Sequence, residues 1–157
     1  MRRVRRLLTL RPAEALALWR ALAEVARVRL AIARRRTDAV RTATAAFGAA
    51  GVAPAAEQRV VAWSVTAAAR LVPGATCLTQ ALAGQRLLAR KGYASTVRIS
   101  LPNGRDSDFR PHAWLLSDNV IVLGGSSMDY SQHRALVDYE SSGRTDPVAE
   151  PATGAAL

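Results

Sequence analysis

The chain has 157 residues, half of them hydrophobic and 22% charged, a size and balance that suit one domain with its own core and exclude a disordered polypeptide. Its single cysteine, Cys77, excludes an internal disulfide, and no Cys/His cluster has zinc spacing, so neither metal nor cofactor is expected and a reducing cytoplasm is the expected location. The formal net charge of +10 is uneven: residues 1–100 hold 17 arginines and Lys91 against four acids, and residues 101–157 hold four arginines against eight acids.

Met1 to Leu8 has the charged start of a signal peptide, but Arg11, Pro12, Glu14 and Arg20 interrupt any apolar region and no cleavage site follows. No uncharged apolar run approaches the ~18 residues of a membrane span. From Pro12 to Arg36 the pattern predicts one long helix that buries Leu16, Trp19, Ala23, Ala26 and Leu30, with Leu18, Leu22, Val25 and Ile32 widening the apolar face. Arg20, Arg27 and Arg34 recur on its other side. A second helix is expected from Asp38 to Phe47, ended by Gly48, Gly51 and Pro54, and a third from Ala55 to Leu71 with Val60, Trp63, Ala67 and Leu71 inward. Pro73 and Gly74 stop the third. The fourth opens near Cys77, uses Leu78, Ala81, Leu82, Leu88 and Ala89 as its apolar face, and closes on Arg90, Lys91 and Gly92.

Beyond Gly92 the period changes to two. Val97, Ile99 and Leu101 alternate with Arg98 and Ser100 as a half-buried strand closed by Pro102-Asn103-Gly104. Phe109 to Leu116 and Val120 to Leu123 form a hairpin about Ser117-Asp118-Asn119, ended by Gly124-Gly125. His133 lies in a polar stretch and reads as surface. Past Tyr139 the Ser/Gly/Pro/Glu/Ala composition predicts a mobile tail.

Cys77 falls where the fourth helix starts, so unpaired N–H groups and the positive end of the helix dipole face its sulfur. Those features favour a thiolate and serve a developing oxyanion. A lone cysteine is commonly inert filler, so a base is needed. His112, entering Ala113-Trp114, is the candidate that accepts the thiol proton and returns it to a leaving amine. A third group usually orients the imidazole; Asp118 in the hairpin turn and Asp129 after the double glycine are the candidates. Gln80 and Trp114 are candidate substrate-binding residues.

Ala75-Thr76-Cys77-Leu78-Thr79-Gln80-Ala81-Leu82-Ala83, Gln85 to Gly92, Phe109-Arg110-Pro111-His112-Ala113-Trp114-Leu115 and Val122-Leu123-Gly124-Gly125 together resemble the stand-alone leader peptidases of lasso-peptide biosynthesis, which are transglutaminase-like, papain-related cysteine proteases. The likeness covers residues 60 to 130. With the pattern of elements it gives the expectation of an α+β fold, a helical N-terminal half packed on a small antiparallel sheet and a transglutaminase-like peptidase core (55–140), while composition marks a basic helical extension (1–54) and a flexible tail (141–157). It further implies that Cys77 is the nucleophile and His112 the base, acting on a precursor peptide of leader plus core. A separate leader-binding protein presents the leader, and an ATP-dependent macrolactam cyclase follows. The position where fused relatives carry an aspartate after the histidine is Gly124 here, and Pro111 replaces their common alanine.

Two other readings use the same residues. A Cys-His acyltransferase or transglutaminase-like enzyme would form the same thioester and resolve it with an amine. A non-catalytic module would use the arginine-rich helices on an anionic membrane surface or nucleic acid. No nucleic-acid motif accompanies those arginines, so no nucleic-acid partner is expected; contact with a protein or, peripherally, with a membrane is the expected use of the basic first helix.

Overall fold

A computed structural model describes residues 11–103 and 110–147. Over them the chain runs α1 (Pro12–Ala33), α2 (Thr37–Ala45), α3 (Ala55–Ala69), α4 (Cys77–Ala89), β1 (Thr96–Pro102), β2 (His112–Ser117), β3 (Val120–Leu123), α5 (Ser127–Ser131), β4 (His133–Glu140) and β5 (Thr145–Pro147). The strands form one antiparallel sheet in the order β3-β2-β1-β4-β5, giving the α+β architecture expected from the sequence. Phe109 lies outside the described residues, and β2 begins at His112. The segment expected to be a tail beyond residue 140 carries β5, which pairs with β4 through Tyr139↔Thr145 and Asp138↔Asp146.

Asp118 and Asn119 take φ of 49° and 60°, the left-handed conformation at both central residues that lets a two-residue turn follow the twist of β2 and β3. Helix α4 lies against these strands. A Cβ at Gly84 would stand 2.6 Å from Leu115 Cδ2 and 2.8 Å from Leu123 Cδ1, so this glycine is what allows the helix backbone so close to the sheet. Buried Gln85 then ties α4 to the sheet, its amide donating to the carbonyls of Ser95 at 3.2 Å and Tyr139 at 2.8 Å.

The inward faces of α1 and α3 match the sequence expectation only in part: Val25 is buried and Leu18, Leu22 and Ile32 pack against the core as expected, but the main predicted lines do not. Helix α1 buries Ala21, Glu24, Val25 and Val28, and leaves Leu16, Trp19 and Leu30 at least half exposed. Helix α3 buries Val61, Ser64, Val65 and Ala68 while Val60, Trp63 and Leu71 stay outside. Both helices carry apolar residues around most of their circumference, so period alone does not choose a face. Small residues at Ala21, Ser64 and Ala68 let α1, α3 and α4 pack closely, and Glu24 must turn inward to meet Arg86.

Candidate active site

The approach to α4 is fixed by local chemistry. Gly74 takes φ of +73° with the Arg29 guanidinium packed where a Cβ would stand, at 2.7–2.8 Å. Thr76 then caps the helix: its Oγ1 accepts from Thr79 N at 3.4 Å, and Thr79 Oγ1 accepts from Thr76 N at 3.2 Å. Cys77 is therefore the first helical residue, partly exposed and packed against the core edge. Thr79 N is used by the cap and Gln80 N bonds Thr76 O, whereas the amides of Cys77 and Leu78 have no acceptor among the described residues.

His112 opens β2 opposite Ser100 of β1. Its Nε2 lies 2.7 Å from the carbonyl oxygen of Gly124. A carbonyl only accepts, so Nε2 carries the proton, and in the neutral ring Nδ1 is the nitrogen left to accept one. The ring rests on Trp114 with centroids 4.4 Å apart. Trp114 is wholly buried, its Nε1 donates to Ser100 Oγ at 2.7 Å, and Tyr130 and His133 meet it edge-on at 5.1 and 5.4 Å. It thus supports the imidazole from beneath and offers no surface to a substrate, contrary to the sequence expectation.

Cys77 and His112 line one cavity of about 590 Å³. Leu78, Leu82, Ile99 and Ala113 supply apolar wall, and α2 contributes Thr37, Asp38 and Arg41 at the other side. Arg41 lies 4.0 Å over the Tyr139 ring, bonds Asp38 at 3.3 Å and also donates to Thr145 Oγ1, joining α2 to both final strands. The sequence did not single out Arg41, because a lone arginine in a basic helix carries no distinguishing pattern.

The other expected residues are placed as follows. Gln80 is half-buried and does not line this cavity. Asp118 is exposed at the far end of β2, about 20 Å of strand from His112; it sits in the turn because Asp tolerates left-handed backbone. It cannot orient the imidazole. Asp129 is nearer, but its carboxylate accepts from Ser126 Oγ at 2.7 Å and Ser126 N at 3.0 Å, capping α5 instead. The bond from the Ser126 side chain, then that from its backbone, holds Asp129 below the usual carboxylate range. This cap is complete above the ordinary carboxylate pKa and is lost as pH falls through the lowered value; NMR titration of the Asp129 carboxyl should show that depression, and Ser126→Ala should abolish most of it.

Besides Arg41, sequence reasoning missed two features beside His112. His133 is half-buried, with its ring 5.7 Å from that of His112 and its Nδ1 bonded to Asp129 O at 2.7 Å. The larger omission is Gly124. Its φ of +121° is glycine's alone, and a Cβ there would stand 2.6 Å from Trp114 Cε3. Gly124→Ala should cost about 1–3 kcal/mol from strain and remove the hydrogen-bonded Nε2 proton of His112 from the NMR spectrum. A folded variant that keeps this proton would show that the carbonyl does not hold the ring.

A sequence profile described as the transglutaminase-like superfamily matches residues 7–137, most of the chain. The chain belongs to the transglutaminase-like superfamily. No curated protein and no solved structure matches it. Members of this superfamily are generally cysteine-dependent enzymes of protease or acyltransferase type, and the match takes in α1 to α4 as well as the strands through Val137. No described helix of this transglutaminase-like chain is long and apolar enough to cross a membrane, and no group of three or more His, Cys, Asp or Glu among the described residues could hold a metal.

Proposed function

We propose that this transglutaminase-like protein is a cytoplasmic cysteine peptidase that removes the leader from a ribosomally synthesised precursor of the lasso-peptide type. The observation that carries the proposal is the shared cavity: Cys77 at the first position of a capped helix, and His112 with its Nε2 proton committed to the Gly124 carbonyl, both line it. The lasso assignment itself rests on the sequence resemblance through Cys77 to Gly92 and His112 to Gly125.

In this reading His112 Nδ1 takes the Cys77 proton as sulfur attacks the scissile carbonyl carbon. The carbonyl electrons move to oxygen, where the amides of Cys77 and Leu78 donate; one such donor is typically worth about 10²–10³ in rate. As the C–N bond breaks, the imidazolium returns its proton to the leaving nitrogen, which becomes the amino terminus of the core. Water, deprotonated by the same nitrogen, then releases the leader as a carboxylic acid and restores the thiol. A separate leader-binding protein presents the leader, and an ATP-dependent macrolactam cyclase consumes the freed amine.

The test is mass spectrometry of the precursor after incubation with this chain and the leader-binding protein. Free leader acid and intact core are expected. Exclusive capture of the acyl group by an added primary amine would transfer the assignment to the acyltransferase reading. Absence of both products, with the protein folded, would remove the Cys77 mechanism.

A further inference from the structure

The outer faces of α1 and α3 carry a feature the proposed reaction does not use. Between these helices runs an apolar groove of about 620 Å³, lined by Leu16, Arg20, Arg59, Val60, Trp63 and Lys91 among others. Leu16, Val60 and Trp63 are 50%, 41% and 41% exposed, and Trp19, one residue from Arg20, is 70% exposed. Val25, Val28, Val61 and Val65 are buried, yet Leu16, Trp19, Val60 and Trp63 remain on the outer faces of the same helices. Contiguous exposed aromatic and aliphatic surface of this kind marks an interaction site, and Trp with Arg is the composition enriched at binding hot spots.

The charges select the occupant. Lys91 is committed to Glu57, and Glu14 bonds the Arg11 amide at its own helix start. Arg20 and Arg59 are exposed and have no ion pair among the described residues; counted with Glu14, Glu57 and Lys91 of the same lining, they leave the groove a net charge of +1. A second copy of this chain would bring like charge to like. The chain's own residues 1–10 carry four arginines and no acid, so they offer no charge complementary to the groove. An anionic bilayer matches in sign but presents a broad surface rather than a ridge that fills a slot.

We propose that this groove docks a partner protein through an amphipathic helix whose apolar ridge is flanked by acidic residues. Leu87 and Lys91 of the groove lie ten or more residues along and beyond α4 from Cys77, about 15 Å of helix rise, so the docked segment occupies a place separate from the catalytic cavity.

The test uses the full chain and two synthetic amphipathic helices with the same leucine ridge, one flanked by glutamates and the other by lysines, alongside phosphatidylglycerol vesicles. Binding is read by fluorescence anisotropy of labelled peptide. The glutamate helix should bind at least about tenfold more tightly than the lysine helix, and Leu16→Glu with Val60→Glu should weaken it by about tenfold or more. Arg20→Glu with Arg59→Glu should reverse the preference. Equal binding of both helices, or binding that survives Leu16→Glu with Val60→Glu, would overturn the proposal. So would vesicle binding without helix binding, self-association removed by the same variants, or peptide binding that emerges only after deletion of residues 1–10. None of these residues lines the Cys77 cavity. Loss of thioester chemistry with groove binding intact would therefore count against the proposed function alone.

Discussion

Cleavage of the precursor should fall by about 10⁴-fold or more in Cys77→Ala, and by about 10²–10⁴-fold in His112→Ala. The first substitution deletes the sulfur that carries the acyl group in the proposed mechanism. The second leaves the thiol in place but strips the group that, in the proposed mechanism, moves its proton and protonates the leaving nitrogen. Because the two act as one unit, the double variant should be scarcely worse than Cys77→Ala alone, which distinguishes a working pair from two independent structural defects. Quenched-flow or discontinuous mass-spectrometric rates provide the measurement. Asp118→Asn should leave the rate within about twofold, since its exposed turn lies at the opposite end of β2. Substantial cleavage by folded Cys77→Ala would end the mechanism.

Glu24→Ala should be the most destabilising single substitution in the helical half, by about 3–5 kcal/mol, with a fall in Tm of roughly 10 °C. The carboxylate is 2% exposed and accepts from Arg86 Nε at 2.9 Å, Arg27 Nη1 at 2.8 Å and Arg90 Nη2 at 2.8 Å. Arg86 also donates to the Val40 carbonyl at 3.3 Å and to Thr44 Oγ1 at 3.2 Å, so one buried guanidinium joins α1, α4 and α2. Removal of Glu24 strands that guanidinium without a counter-charge. Glu24→Met combined with Arg86→Met should recover much of the loss, because the penalty belongs to the unpaired charge more than to the absent pair. Urea denaturation of the two single variants and the double gives the coupling directly. A near-additive outcome would show that Glu24 and Arg86 do not stabilise the helices as a pair.

The parts of this molecule that were legible in its sequence are those where residue type dictates conformation. Thr76 before Cys77, with glycine and proline upstream, announces a helix start, and the structure shows the cap. Asp118-Asn119 between apolar runs announces the tight hairpin. What was not legible depends on which of several equivalent surfaces is chosen. Alanine-rich α1 and α3 offer apolar residues all round, and the decision is made by close approach at Ala21 and Ser64 and by the partner of Glu24, which lies 62 residues away. Strand β4 begins in the polar run His133-Arg134 and was hidden for a related reason. Its pairing with β1 shifts register between Ile99 and Ser100, and its inward residues are only half-buried, so no clean alternation reaches the sequence. Arg41 became visible only when α2 was seen to wall the cavity.

The contact between His112 and Gly124 has a bearing on how such enzymes are recognised. In the proposed mechanism the orienting duty that the Ser-His-Asp arrangement gives to a carboxylate falls to the main chain, and main-chain atoms have no letter in a sequence. A search demanding three polar side chains would discard this polypeptide as inert, and systematic replacement of its acids would leave the vacancy unexplained. The information resides in a backbone torsion that only one amino acid permits, so what must be preserved at this position is the absence of a side chain.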